Sequence, residues 1–79
     1  MMEVFVLVVV KPGHEEEVYN ALSGHERIKE IYRVYGEYDL ILRVEVENVE
    51  ALDRFHDEVL RKLKNIEMTE TLIASSYRG

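Results

Sequence analysis

The residues best placed to bind a small charged molecule lie in one short turn. The segment reads Tyr35-Gly36-Glu37-Tyr38-Asp39, and a largely apolar run follows it. A turn at glycine exposes backbone N–H groups, which can hold a carboxylate, while the carboxylate of Asp39 can hold an ammonium group. A free α-amino acid carries both charges. A plainer interpretation stays open beside this one: Gly36 provides the positive φ of a turn, and Asp39 is a polar residue at a strand edge.

Histidine and cysteine, the usual ligands of transition metals, give no sign of a metal site. The chain contains no cysteine, so it has no thiolate nucleophile, disulfide or cysteine zinc site. The histidines His14, His25 and His56 fall in three different segments, without H-x-x-x-H or H-E-x-x-H spacing. We therefore interpret them as surface residues and predict no metal and no cofactor, with a zinc ion at a subunit interface left open.

Serine and glutamate are equally poor candidates for catalysis. None of the serines Ser23, Ser75 and Ser76 lies in a G-x-S-x-G elbow. The glutamate run at 15–17 falls at a predicted helix start, where successive side chains diverge by about 100° and cannot chelate one ion together. Carboxylates in a first helical turn are favoured by the helix dipole. We therefore predict no catalytic residues and no enzymatic activity.

Length, charge and hydropathy limit which other classes of function are possible. The 79 residues suffice for one domain. The net charge of −6 opposes binding to nucleic acid, which needs a basic surface. The longest apolar run, residues 4–10, is too short to cross a bilayer as a helix, and we expect no signal peptide. We therefore expect a cytoplasmic protein with no direct nucleic-acid partner and no membrane partner.

Alternation and helical spacing predict elements in the order β-α-β-β-α-β. We predict strands over residues 3–10, 28–35, 38–46 and 66–77, and helices over 13–23 and 48–64. Asn48 is the expected N-cap of the second helix. A two-residue turn at Gly36 and Glu37 is expected to join the middle strands as a β-hairpin. A bulge near Ile31 would correct the imperfect alternation of the second strand.

The apolar residues of each element fall into sets that assign them to faces. In the first strand, the valines at even positions form one set, and Phe5, Leu7 and Val9 form the other. In the third strand, the predicted inner set is Tyr38, Leu40, Leu42, Val44 and Val46. In the last strand, one set is Ile66, Met68, Leu72 and Ala74, and the other is Thr69, Thr71, Ile73 and Ser75. The predicted helical stripes are Val18, Ala21 and Leu22, and Val49, Leu52, Phe55, Val59, Leu60 and Leu63.

This order of elements is that of the α+β ferredoxin-like fold, a four-stranded antiparallel sheet with both helices on one face. The other face has no helix to cover it. Apolar side chains are expected on that face from Phe5, Leu7, Val9, Ile41 and Ile73. An open apolar face is unfavourable in water, so we expect two copies to pack sheet against sheet as an isologous dimer of the dimeric α/β-barrel type.

The turn and its surroundings resemble the ligand-binding domain of the Lrp/AsnC transcription regulators, also called the RAM domain. The resemblance is carried by the segment at 35–39 and by the strand Leu40-Ile41-Leu42-Arg43-Val44 that follows it. The other elements also fit the family: the helix after Pro12-Gly13, the helix that begins at Asn48 and contains Phe55, and the closing strand with Thr69 and Thr71. The resemblance covers residues 1–79 as a single ligand-binding and oligomerisation domain. Regulators of this family also carry a helix-turn-helix domain. We expect none here, and hence a stand-alone version.

The resemblance implies an amino-acid site near the turn, to which the closing strand of a neighbouring subunit contributes. Carried over by position, the ligand-binding residues are Tyr35, Gly36, Glu37, Tyr38, Asp39, Thr69, Thr71 and Ser75. The resemblance further implies homodimers assembled into rings of dimers, with a full-length Lrp/AsnC regulator as a further partner. The expected function is that of an amino-acid sensor or modulator of transcription regulation.

Two other classes of protein share this fold and stay open as alternatives. A small enzyme of the dimeric α+β barrel superfamily, a monooxygenase or an isomerase, would place catalytic polar residues in a cavity between the sheet and the helices. The sequence offers no evident set of such residues. An ACT-like domain also binds amino acids, but its glycine-rich loop after the first strand is matched poorly by Lys11-Pro12-Gly13-His14.

Overall fold

Four antiparallel strands form one layer of the computed structural model, which describes residues 1–75, and two helices form the other layer. The strands are β1 (Met2–Val10), β2 (Ile28–Arg33), β3 (Leu40–Val46) and β4 (Ile66–Ile73), and the helices are α1 (Glu15–Leu22) and α2 (Val49–Phe55). The strand order in the sheet is β2-β3-β1-β4. The predicted ferredoxin-like βαββαβ fold is therefore confirmed. Neither helix within the described range has the length and hydropathy to carry it through a bilayer.

Alternation along β1 and β3 places one aliphatic face of the sheet against the helices. Side chains that oppose each other on this face are fully buried, as Val6 and Leu42 illustrate. The helices contribute Val18, Leu22, Ala51, Leu52 and Phe55 to the same core. Because burial of each large aliphatic or aromatic side chain stabilises a fold by roughly 1.5–3 kcal/mol, this core fixes the helices to one side of the sheet.

The connection between β2 and β3 is longer than the predicted two-residue turn. β2 ends at Arg33 and β3 begins at Leu40, so the whole segment 34–39 forms the loop, instead of Gly36 and Glu37 alone. The prediction was wrong because an apolar pattern does not reveal where the hydrogen-bonded ladder between two strands stops. The last residue of the loop, Asp39, makes hydrogen bonds to the end of β1 instead.

The bulge in β2 lies slightly earlier in the strand than predicted. The register between β2 and β3 shifts between Ile28 and Glu30 and is regular at Ile31. A bulge places an extra residue on one strand, and the residue types around it were compatible with more than one position. The predicted repair of the alternation is thus present, at a different residue.

The second helix is not a continuous α-helix over residues 48–64. Asn48 caps its start as predicted, since its side-chain oxygen accepts a hydrogen bond of 2.8 Å from the N–H of Ala51. After α2, the segment His56–Leu60 forms a π-turn, in which the N–H of Arg61 reaches back five residues to the carbonyl of His56 at 3.0 Å. A π-turn widens the helix locally, and apolar spacing alone does not predict it.

Two helix positions that were predicted to face the core are exposed. Ala21 is exposed in α1, where Val18 and Leu22 provide the buried stripe. Val49 is 52% exposed because it is the first residue of α2 and lies at the margin of the core. Both helices therefore bury narrower stripes than their sequences predicted.

The faces of β4 are the reverse of the prediction: Thr69, Thr71 and Ile73 oppose buried valines of β1, whereas Met68 and Leu72 lie on the open face. Ile73 opposes Val4, whose side chain is buried beneath the helices, so Ile73 does not lie on the open face. At the other end, an irregularity places Ile66 opposite Val10, and Ile66 packs against the core. The apolar residues of the open face are Phe5, Leu7, Val9, Ile41, Met68 and Leu72. Ser76 and Tyr77, also assigned above, lie outside the described residues.

Candidate functional site

Three hydrogen bonds of Asp39 close the 34–39 loop on itself and hold it against the end of β1. The N–H of Asp39 donates to the carbonyl of Val8 at 2.8 Å, and the N–H of Val34 donates to the carbonyl of Asp39 at 3.0 Å. The carboxylate of Asp39 accepts a hydrogen bond of 2.7 Å at Oδ2 from the N–H of Val10. One residue thus closes the loop and ties it to a neighbouring strand through both its backbone and its side chain.

The tip of the loop is exposed, and its backbone donors are free. Tyr35, Gly36 and Glu37 are all exposed to solvent. The φ of Gly36 is +142°, which confirms the predicted positive φ and which an L side chain rarely adopts. Among residues 1–75, no acceptor takes the N–H of Gly36 or that of Glu37. Free N–H groups of this kind can hold an anion.

A cleft of about 340 Å³ lies beside the loop. It is lined by Glu15, Arg33, Val34, Tyr35 and Asp39. Of these, Tyr35 and Asp39 are among the residues predicted for the site, whereas Glu15 and Arg33 are not. The start of α1 and the end of β2 approach the loop only through the tertiary fold, so no spacing in the sequence pointed to them. The cleft therefore combines one cation with two carboxylates.

Tyr38 does not line this cleft but reaches across the open face of the sheet. Its hydroxyl donates a hydrogen bond to the carboxylate of Glu70 on β4, and this bond raises the pKa of Tyr38. Glu70 opposes Leu7 and shares its side of the sheet. The prediction that grouped Tyr38 with the buried Leu40 was wrong, because β3 begins only at Leu40 and its alternation does not extend into the loop.

Thr69, Thr71 and Ser75 lie away from the cleft within one chain. The two threonines lie on β4, and β1 separates them from β3, a distance of roughly 10 Å across two strand spacings. Ser75 follows the end of β4 that lies beside Glu3, since the N–H of the preceding residue donates to the Glu3 carbonyl. Asp39 lies at the opposite end of β1. A single chain therefore does not bring all the predicted site residues together.

Charged residues occupy one part of the open sheet face, around Arg43. The guanidinium of Arg43 pairs with Glu30, and it also pairs with Glu3 and Glu45 at 3.1 Å each. The hydroxyl of Tyr32 donates to Glu30 at 2.6 Å. The pKa of Glu30 is lowered, first by the hydrogen bond from Tyr32 and then by that from Arg43. Arg43 therefore holds together a polar network on the same face that carries the apolar side chains Phe5 and Ile41.

The remainder of the open face is apolar. Four of its side chains, Phe5, Leu7, Val9 and Ile41, are only half-buried. At the β4 edge, Met68 and Leu72 are 53% and 46% exposed. A contiguous apolar surface that water can reach commonly marks an interaction site.

The π-turn adds polar residues that the sequence analysis did not select. Nε2 of His56 lies 3.4 Å from Oγ1 of Thr69, and Arg61 pairs with Asp57 at 3.7 Å. His56 and Arg61 both line open cavities of about 230 and 470 Å³ beside β4. Over the described part of the chain, no three histidines or carboxylates are grouped so as to hold a metal ion.

Comparison with known proteins places these features in a family of regulators. Residues 3–77 match the family model of the Lrp/AsnC ligand binding domain. The HTH-type transcriptional regulator FL11 of Pyrococcus abyssi is 36% identical over 72 residues, which are 91% of this chain and 47% of the regulator. The chain thus spans about half the length of the curated relatives it matches.

Solved structures match the fold over nearly the full length of the chain. The hypothetical protein PHS023 from Pyrococcus horikoshii is 44% identical, with a TM-score of 0.88 and coverage of 98% of this chain and 93% of that one. TTHA0845 from Thermus thermophilus is 30% identical, with a TM-score of 0.92 and coverage of 100% and 99%. AsnC of E. coli, at 21% identity and a TM-score of 0.90, shares the fold. By its family match and its relatives, the chain belongs to the Lrp/AsnC ligand-binding domain family.

Proposed function

We propose that this chain is a cytoplasmic regulatory module that binds a free amino acid in the cleft beside the 34–39 loop. The cleft carries the proposal, because it stands at the segment whose sequence resembles the family most distinctively. Its volume of about 340 Å³ lies at the small end of ligand pockets, which suits a molecule the size of an amino acid. Gly36 and Glu37 follow the lining residue Tyr35 at the loop tip, and their free N–H groups offer further donors for a carboxylate beside the cleft.

The module is proposed to form dimers through the open face of its sheet. The half-buried aliphatic and aromatic side chains of β1 and β3 would be covered if a second copy packed on them. An isologous contact of this kind pairs the same surface on both subunits. Arg43 lies directly opposite Phe5, so its network would then be enclosed by the contact with its charges already paired.

A complete site is proposed to need more than one subunit. Thr69, Thr71 and Ser75 do not line the cleft of one chain, so their proposed contribution comes from a neighbouring subunit. A ring of dimers would supply such neighbours. Amino-acid binding would then be coupled to assembly, because the ligand would stabilise the contact between subunits.

The regulatory role is proposed to proceed without catalysis and without direct contact to nucleic acid. The curated relatives are named as transcriptional regulators, and the net charge of this chain is −6, which repels a phosphate backbone. The proposed partners are therefore further copies of the chain and a full-length regulator of the same family.

The proposal is tested by thermal unfolding of the purified protein with each of the twenty L-amino acids, alongside mass measurement by light scattering. A ligand at about 100 times its Kd adds roughly 2.7 kcal/mol of stability, which raises the Tm of a domain this small by several degrees or more. We expect a shift with one or a few amino acids, together with a mass above that of a dimer. Unchanged Tm values for all twenty would contradict the proposal.

A further inference from the structure

Two oppositely charged side chains line the cleft without forming an ion pair with each other. Arg33 is the last residue of β2, and Glu15 is the first residue of α1. Both lie on the wall of the cleft, yet no salt bridge joins them. A positive and a negative side chain that line one small cleft without pairing are available to a molecule that carries both charges.

Arg33 differs from most other described arginines in lacking a partner. Arg27, Arg43 and Arg61 each pair with at least one carboxylate. The guanidinium of Arg33 makes no hydrogen bond or ion pair within residues 1–75. A guanidinium presents a planar fork of donors that fits a carboxylate in a bidentate manner. Arg33 therefore offers an unused carboxylate-binding group at the cleft.

The two carboxylates of the cleft are not equally available to a ligand. Asp39 already accepts the N–H of Val10 at Oδ2, and it closes the loop. Within residues 1–75, Glu15 accepts only the N–H of Gly13, at Oε1 and 3.0 Å, which leaves Oε2 for another donor. The side chain of Glu15 also belongs to a helix start and is not needed to hold the loop.

We infer that Arg33 binds the α-carboxylate of the ligand and that Glu15 binds its α-ammonium group, so that this pair selects free α-amino acids. The inference rests on the proposed function, because it assigns the two poles of the same site. With Asp39 included, the cleft has one cation and two carboxylates. This excess of negative charge disfavours a second carboxylate on the ligand, so side chains that are neutral or basic are bound in preference to those of aspartate and glutamate.

The test compares Arg33→Gln and Glu15→Gln with the unchanged protein by isothermal titration calorimetry. The probes are the twenty L-amino acids, each with its α-amide, which lacks the carboxylate, and its Nα-acetyl derivative, which lacks the ammonium group. Matched controls are Arg54→Gln, an exposed arginine with no ion pair in the described part of the chain, and Glu16→Gln, an exposed neighbour outside the cleft. Circular dichroism confirms that each variant is folded.

We expect Arg33→Gln to weaken amino-acid binding by about 10-fold to 100-fold, the range for a lost charged hydrogen bond. This variant would distinguish an amino acid from its amide less sharply than the unchanged protein does, and Glu15→Gln would distinguish it less sharply from the Nα-acetyl derivative. Both controls would bind within about twofold of the unchanged protein. Binding by the unchanged protein that neither cleft variant alters would overturn the inference and leave the proposed function standing. Failure of the unchanged protein to bind any of the twenty would overturn both.

Discussion

The carboxylate of Asp39 accepts a hydrogen bond of 2.7 Å from the backbone N–H of Val10, which lies 29 positions earlier in the chain. The bond joins the loop after β2 to the last residue of β1, at the mouth of the candidate site. Asp39 therefore has a structural role whether or not it also touches a ligand. Loss of binding after removal of its side chain would not by itself identify a ligand contact.

Asp39→Ala is expected to lower the free energy of unfolding by about 1.5–3 kcal/mol, because it leaves the Val10 N–H without its charged acceptor. Urea unfolding followed by circular dichroism measures this change. Asp39→Asn retains a side-chain oxygen for the Val10 N–H. Its free energy of unfolding should therefore fall clearly less than that of Asp39→Ala. Equal losses in the two variants would mean that the hydrogen bond contributes little to the fold.

Asn48→Ala is expected to destabilise the protein by about 0.5–2 kcal/mol, because it removes the side-chain acceptor for the Ala51 N–H at the start of α2. The same urea unfolding experiment measures the loss. Asn48→Ser serves as the control, since serine is also a good N-cap. A serine variant as unstable as the alanine variant would show that the cap is not the cause.

Acid is expected to destabilise the fold below about pH 4.5, the ordinary pKa of a glutamate. In the folded state, hydrogen bonds lower the pKa of Glu17, Glu30 and Glu47 below that value. A carboxyl whose pKa is lower when folded stabilises the fold above its unfolded pKa, and that contribution is lost as the pH falls through the folded value. The measurement is the Tm between about pH 7 and pH 3, at constant ionic strength.

Glu30→Gln should make this acid-induced fall in Tm shallower, because the variant lacks one of the carboxyl groups that gain protons on unfolding. Glu58→Gln is the matched control, since Glu58 is exposed on the π-turn and forms no ion pair in the described structure. If both variants follow the pH profile of the unchanged protein, the carboxyl group of Glu30 does not contribute to the acid sensitivity of the fold.

Leu7→Lys is expected to convert dimers to monomers, because it places a charge at the centre of the apolar open face, where burial of an unpaired charge is strongly unfavourable. Light scattering measures the mass. Val49→Lys introduces the same charge at an exposed residue of α2, on the other layer of the molecule, and should leave the mass unchanged. A Leu7→Lys protein of unaltered mass would exclude the open face as the interface.

Local sequence signals predicted the elements that depend on short-range physics. The alternating valines of β1 and the alternating residues of β3 occupy the faces assigned to them. Asn48 caps α2 because its side chain needs only the N–H groups of the next turn. Gly36 has the positive φ that its position in a turn required. The order of such elements was enough to predict the ferredoxin-like fold.

The errors fall where a residue depends on a distant part of the chain. The side chain of Tyr38 is positioned by its hydrogen bond to Glu70, 32 residues further along the chain, and not by the alternation of the adjacent strand. The register shift beside Val10 turned Ile66 toward the core. The π-turn interrupted a helix whose apolar spacing looked regular. In each case, contacts between elements outweighed the local preference.

The sequence by itself determined the order of strands and helices, the two faces of β1 and β3, and the cap of α2 at Asn48. These depend on the period of the apolar residues and on turn and cap chemistry, which are properties of neighbouring residues. Only the tertiary structure decided that Glu15 and Arg33 line the cleft and that Asp39 is tied to Val10. Those relationships arise because packing of the core brings α1, β2 and β1 together. Short-range sequence patterns do not predict which side chains come into contact as a result.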